Sequence, residues 1–415
     1  MAVFRPFKAL RPLPEYADKV AALPYDVMNS EEAAQMVTGN PYSFLHVDKA
    51  EIDLPAGTDL YADEVYAKAA ENLRALEQNG ICAMDETPCF YIYRLVMNGR
   101  SQTGIMGCVS IDDYADNIIK KHELTLHEKE IDRIKHVDTC DANTGPIYLT
   151  HRKSNPVSEF ITDFKEKNES VYDFTADTGV RHTVWVVSDK KDTDNITKWF
   201  KDVQYLYIAD GHHRAASAVH VGMQRRQENP GYTGSEEFNF FLAVLFSCDE
   251  LKIFDYNRVI KDLNGMTPAE FIEKTGDKFT VEKAQCEGPY RPEKTHTFGM
   301  FLGGEWYKLT AKPGTFDEND PVASLDVSVL QNNLIAPVLG ITDPRKDKRI
   351  DFVGGIRGLG ELEKRAKTDM CLAFAMYPTS LYELLDVADA GKIMPPKSTW
   401  FEPKPLSGLF IHKLS

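Results

Sequence analysis

Apolar positions along this chain switch repeatedly between a period near 3.6 and a period of 2, and the switches predict alternating helices and strands. Residues 30–37 open on Ser30 followed by Glu31 and Glu32, a capped helix start. Residues 61–78 repeat apolar side chains at helical spacing and stop before Gly80, a residue suited to ending a helix. Residues 90–96 and 103–111 read as two strands joined through Asn98-Gly99, the strongest short hairpin signal. The stretch 112–146 is polar and rich in titratable groups. Strand-like segments follow at 147–149 and 183–187, the second leading into a helix across 195–203. A continuous apolar run at 238–246 predicts a buried central strand. Further on, 297–302 and 306–310 flank Gly303-Gly304 as a hairpin, and 326–339 reads as an amphipathic helix. Strand and helix then alternate at 351–355, 359–367, 370–376 and 381–388, with a last apolar strand expected at 408–411. The pattern predicts a mixed α/β (α+β) fold. A chain of 415 residues is expected to hold two or three domains.

Between the strand-like run 205–209 and the Ala-rich, helix-forming run 215–219 stand Asp210, Gly211, His212, His213 and Arg214. A strand feeding a helix through such a turn aims unpaired backbone N–H groups and the positive end of the helix dipole at one point. A phosphate binds well there, and Arg214 could clamp it in bidentate fashion. The plainer reading has Asp210 capping the helix and the histidines lying on the surface; it leaves two imidazoles and a guanidinium in one turn unaccounted for.

Three other constellations could carry chemistry. Residues 121–133 hold His122, Glu123, Thr125, Lys129, Asp132 and Arg133. His122 and His127 are too far apart for the H-E-x-x-H zinc signature. A solvated charged helix is one reading; the other makes Glu123 a general base and Arg133 a phosphate contact. The Gly354–Gly360 run follows a strand and opens a helix, but its glycines do not match the dinucleotide fingerprint, and a plain turn suffices. In residues 394–401, Lys397, Ser398 and Thr399 resemble the end of a P-loop without its glycines, stiffened by Pro395 and Pro396. A proline-stiffened surface tail is the competing reading.

The formal net charge of −15 argues against a general nucleic-acid binder, which needs clustered Lys and Arg. Seven scattered cysteines include no C-x-x-C pair and suit reduced thiols. With no export signal and no run of about 18 apolar residues, a cytoplasmic protein away from membranes is expected.

Asp210 to Arg214 resembles the Asp-Gly-His-His-Arg signature of free-serine kinases in the ParB/sulfiredoxin-like superfamily. The chain also resembles, over nearly its full length, a large prokaryotic family catalogued as a domain of unknown function. That likeness is carried by His122-Glu123-x-Thr125, Asp132-Arg133, Asp210 to Arg214, and Met394 to Phe401 followed by Pro403-Lys404. The resemblance implies a ParB/sulfiredoxin-like core at 112–250, between an N-terminal α/β region at 1–111 and a C-terminal one at 251–415 that contributes the Lys397 segment. It implies Asp210, His212, His213 and Glu123 in catalysis. Gly211, Arg214, His122, Arg133, Lys397, Ser398 and Thr399 would bind phosphate or nucleotide. The activity implied is phosphoryl transfer between ATP, ADP or pyrophosphate and a small hydroxyl compound, L-serine or O-phosphoserine foremost, with Mg²⁺ expected and the metal ligands unassigned. An O-phosphoserine phosphatase and a nucleotide-binding regulator of ParB-like type are the alternatives. Sulfiredoxin activity is disfavoured, because histidines stand where that turn needs a cysteine. The oligomeric state is not legible.

Overall fold

The computed structural model describes residues 1–415 and is a mixed α/β structure. The chain divides into two compact units, residues 1–251 with 403–415, and residues 252–402. Strands from both sides of residue 111 share one sheet in the first unit. The last thirteen residues (403–415), expected with the C-terminal region, also belong to this unit. The reason is backbone pairing: His412–Lys413 lies antiparallel to Ala142–Asn143, and Ile411 bridges Leu10.

The first unit is built on a nine-stranded mixed sheet. Its order runs Ile119–Lys120, Leu206–Asp210, Ile147–His151, Phe240–Ser247, Arg100–Ser110, Phe90–Met97, Arg181–Val187 and Tyr172–Thr175. The short strand Phe4–Arg5 pairs beside Arg100–Ser110. The apolar run around residue 240 is the buried central strand its composition predicts, parallel to Ile147–His151 and antiparallel to Arg100–Ser110. Asn98 and Gly99 both take positive φ (51° and 77°), as a two-residue primed turn requires, and Met97 pairs with Arg100. Side chains such as Ile105, Leu149, Ile208 and Phe241 bury the sheet against the helices. Around the helix Asp63–Gln78 a second cluster, including Leu45, Val47, Leu73 and Ile411, anchors the segment that carries Tyr25 and Asp48.

Several boundaries move for identifiable reasons. The helix Ser30–Met36 is capped by Asn29 through a capping box with Glu32, so Ser30 is its first residue rather than its cap. Asn155–Lys167 is a helix that periodicity did not reveal; Pro156 sits in its first turn, where the missing N–H costs nothing. The final strand falls at His412–Lys413, just past the apolar run.

The second unit carries a six-stranded antiparallel sheet, ordered Phe279–Lys283, Glu305–Ala311, Thr297–Leu302, Leu372–Ala375, Tyr256–Ile260, Ile350–Gly354. The Gly354–Gly360 run serves packing. A Cβ on Gly355 would lie 2.3 Å from Asp255 Oδ1, and one on Gly354 would press on the Trp400 ring. No helix of the chain is long and apolar enough to cross a membrane.

Candidate functional site

The expected strand, turn and helix are present: Leu206–Asp210, Gly211, then His212–Glu228. A register shift between Ile208 and Asp210 against Ile147–His151 swells the strand's last residues, a device that re-aims side chains. Gly211 takes φ 92°, a left-handed conformation that any side chain would strain, and stands at the N-cap without a side-chain cap. Asp210 is therefore not the helix cap. Its Oδ1 accepts from the Gly211 N–H at 2.9 Å, and its Oδ2 forms a close ion pair with Lys404. The Asp210 side chain keeps 38% of its surface open, yet enough protein surrounds it that burial is the largest influence on its carboxyl, pushing its pKa up. Lys404, the Gly211 amide and Arg214 outweigh that push and hold it below the usual value, hence ionised.

His122 and His212 are both buried, with ring centroids 4.5 Å apart and planes nearly perpendicular. Burial pushes His122 down to about 4. Burial, with His122, His213 and Lys121 nearby, pushes His212 far below its usual value. His212 Nδ1 lies 3.7 Å from a carboxylate oxygen of Glu123, longer than a hydrogen bond. His213 is engaged by backbone, its Nε2 accepting the Leu126 N–H at 2.9 Å. That bond places the His213 ring proton on Nδ1.

Arg214 leads away from the turn into a charged network. Its Nη2 donates to Asp48 and to the Ser407 hydroxyl, each at 3.2 Å. Asp48 also accepts from Thr144 at 2.8 Å. Burial pushes the Asp48 carboxyl up, but Arg214, His136 and Arg133 together hold it below its usual value. Two guanidiniums lie over the Tyr25 ring, that of Arg133 4.0 Å and that of Arg214 5.2 Å from its centre. Arg133 is buried and pairs with Asp132, which accepts from the Tyr66 hydroxyl at 3.0 Å.

Tyr25, Asp48, Tyr66, Asp132 and Arg133 line a cavity of about 240 Å³ together with Lys129, His136 and their neighbours. Arg214 is not in the lining but contacts Asp48 and Tyr25. Glu123, His122, Arg133 and the Asp210–Arg214 turn thus lie within one unit. Lys397, Ser398 and Thr399 belong to the other unit and make local contacts there. Lys397 has φ 59° and its carbonyl accepts from Arg258 at 3.1 Å. Ser398 donates to the Pro395 carbonyl at 2.5 Å, and its own carbonyl accepts from Thr379. Of the charged C-terminal stretch, Lys404 is the residue that reaches Asp210. Sequence reasoning missed Tyr25, Asp48 and His136 as cavity residues. His136 had a weak signal, one helical turn after Arg133; Asp48 had none, being one of several charged residues in the 46–53 stretch.

The fold and site define a mixed α/β protein with a polar, charge-lined cavity and a left-handed glycine turn, linked through Arg214, which contacts Asp48 and Tyr25 of the cavity lining. The chain belongs to the family described as "Protein of unknown function (DUF1015)", whose profile matches residues 4–328. No curated protein matches it. Among solved structures, it is similar to a free serine kinase in complex with AMP, at 14% identity over 71% of this chain and 86% of that one, TM-score 0.35. SbnI with a C-terminal truncation from Staphylococcus aureus is similar at 12% identity over 74% of this chain and 86% of that one, TM-score 0.37. A conserved hypothetical protein from Pyrococcus furiosus matches at 15% identity over 71% and 89%, TM-score 0.33. At such TM-scores these likenesses carry no functional argument.

Proposed function

We propose that this chain is a phosphotransferase acting on a small hydroxyl metabolite, with L-serine and O-phosphoserine the leading pair and ATP, ADP or pyrophosphate the donor. The observation that carries the reading is the cavity whose lining residues Asp48 and Tyr25 are in contact with Arg214 of the turn, and which presents cations and carboxylates together. Lys49, Lys129 and Arg133 face Asp26, Asp48, Glu51 and Asp132 around its walls. A zwitterionic amino acid, or its phosphate ester, needs both signs of charge, and about 240 Å³ suits a molecule of that size better than a whole nucleotide. The Asp-Gly-His-His-Arg motif adds its resemblance to the free-serine kinases.

Phosphoryl transfer asks for positioning, neutralisation of the transferred oxygens and a group to take the hydroxyl proton. The first amides of helix His212–Glu228 lack intrahelical acceptors and suit an incoming phosphoryl group. Lys404 adds a cation beside them. Asp210, kept ionised by Lys404 and the Gly211 N–H, is the proposed proton acceptor, with Glu123 the second carboxylate at the turn. Mg²⁺ fits this turn poorly. It takes oxygen ligands in near-octahedral array, whereas most side-chain donors around Asp210 at the turn are imidazoles.

The test is ³¹P NMR of the purified chain with L-serine plus ATP, ADP or pyrophosphate, and with O-phosphoserine alone. Appearance of O-phosphoserine gives the kinase direction; release of phosphate from the ester gives the phosphatase. A folded protein inert in every arm would sink the proposal.

A further inference from the structure

We propose that His122, Glu123 and His212 bind a borderline transition-metal dication of the Zn²⁺ class, with at least one coordination position left open. One nitrogen from each ring and one Glu123 oxygen lie within 4.8 Å of one another. The two rings are 2% and 4% exposed, so they are closed off from bulk water. Neither nitrogen of His122, nor Nε2 of His212, has a hydrogen-bond partner. The Ile208 carbonyl lies near enough to one His122 nitrogen to favour its protonated form, though outside strict hydrogen-bond geometry, which leaves the other nitrogen's lone pair to a ligand. The Asp210 carboxylate is a second polar neighbour. Buried polar side-chain atoms nearly always find a partner. Three orphaned nitrogens on two touching rings, beside a carboxylate, point to a ligand that accepts lone pairs.

The donor set selects the ligand. Two imidazoles and one carboxylate are the protein ligands of catalytic zinc centres of the His₂Glu kind and of non-haem iron sites. Mg²⁺ and Ca²⁺ prefer all-oxygen surroundings and would leave the imidazoles unused. Three protein ligands are one short of a closed structural zinc site, so water or a substrate oxygen would complete the set. A bound zinc would draw its ligand atoms to about 3.3 Å apart, given Zn–N distances of about 2.0–2.1 Å. Glu123 can supply that contraction, since its side chain is 55% exposed and it stands in the irregular stretch before helix His127–Cys140. Asp210 favours a dication here and Lys121 opposes one. The site does not depend on the phosphotransfer reading.

The experiment uses tag-free, full-length protein stripped with a chelator and titrated with Co²⁺, without any phosphoryl donor. Coordinated Co²⁺ is read from its visible d–d absorption, and Zn²⁺ and Mg²⁺ are added as competitors. The expected result is one equivalent of Co²⁺, displaced by Zn²⁺ and retained against a large excess of Mg²⁺. His122→Ala and His212→Ala should each weaken binding at least about 100-fold, beyond the roughly 10- to 100-fold loss typical of a residue that only orients a ligand. Should a histidine variant fail to fold, Glu123→Gln decides, because its exposed side chain can change without disturbing the core; about a tenfold or greater weakening is expected. Absence of Co²⁺ and Zn²⁺ binding by the wild type, or unchanged affinity in folded Glu123→Gln, would overturn the site and leave water as the partner of the imidazoles.

Discussion

Asp48 in the first unit and Asp326 in the second are both almost fully removed from water, yet their surroundings push them in opposite directions. Asp48 faces Arg214 at 3.2 Å and accepts from Thr144, with Arg133 and His136 close behind, and these overcome the effect of burial. Asp326 accepts the His296 N–H at 2.7 Å, while its other oxygen and the nearby Ser328 hydroxyl lack partners. Burial, with Glu383 adding to it, pushes the Asp326 carboxyl up to about 7. The first unit thus keeps charges in its interior and surrounds them with opposite charges beside a cavity. In the second unit, this acid is buried as an uncharged group over much of the pH range. Arg258 and Asp255 are buried in the second unit as well. What sets the first unit apart is that its buried charges line a cavity, and on that ground we propose the chemistry there.

The largest expected effect tests that assignment directly. Asp210→Asn keeps the shape of the side chain but removes the charge paired with Lys404 and the basicity needed to take a proton. Phosphotransfer, measured by ³¹P NMR under single-turnover conditions, should fall by about 100- to 10,000-fold. Asp210 does not cap the helix, but the change takes the counter-charge away from Lys404, so some fall in melting temperature is expected and transfer is read on protein shown to be folded. Unchanged transfer would remove Asp210 from the chemistry.

Next in size comes Asp48→Asn, which leaves Arg214 and Arg133 facing a neutral group. Breaking a buried pair from one side costs about 3–5 kcal/mol, to be read from urea unfolding of the whole chain. The two aspartates also predict separate pH windows. The folded-state pKa of Asp48 is depressed, so its contribution is present above the unfolded value near 3.8 and is lost as pH falls through the lower folded value. Asp326 has a raised pKa, so its contribution is full below the unfolded value of 3.8 and is lost as pH rises through about 7. At pH 8, Asp326→Asn should therefore be more stable than the wild type by up to about 4 kcal/mol, the worth of roughly three pKa units. At pH 4 the difference should nearly vanish. A variant no more stable at pH 8 than at pH 4 would break the contrast between the units.

Much of this was legible in the sequence because it is written locally. The Asn98-Gly99 hairpin, the central strand and the strand–Gly211–helix turn each follow from neighbouring residues whose propensities agree with the final fold. The site was legible only in part, because its charges are assembled from distant segments. Asp48 meets Arg214 across most of the first unit's sequence, and nothing around Asp48 announces it. Lys404 reached Asp210 while Lys397, seven residues earlier and equally conspicuous, folds into the other unit. The 354–360 run shows the converse error that glycines invite, since close packing against Asp255 and Trp400 explains two of them without a ligand.

Gly211→Ala sharpens the picture at smaller scale. A Cβ there meets nothing closer than 3.7 Å from Ile147, so space is available, but φ 92° strains any side chain. The expected cost is about 1–2 kcal/mol, with a loss of transfer activity if the turn must hold its amides still.

The smallest effect concerns Lys397, which carries the strain that glycine avoids at residue 211. Its φ of 59° is left-handed, it lies in the loop after Pro395-Pro396, and its backbone carbonyl is fixed by Arg258. Lys397→Gly removes the clash of Cβ with the backbone, worth about 1–2 kcal/mol. The greater freedom of glycine in the unfolded chain takes back roughly 0.5–1 kcal/mol. The variant should therefore be slightly more stable than the wild type, by about 0.5–1 kcal/mol in urea unfolding. Phosphotransfer measured on the same preparation decides what the lysine head group does. Greater stability accompanied by a fall in transfer would bring the 394–401 segment into the active site despite its place in the other unit; greater stability alone would make Lys397 a turn residue.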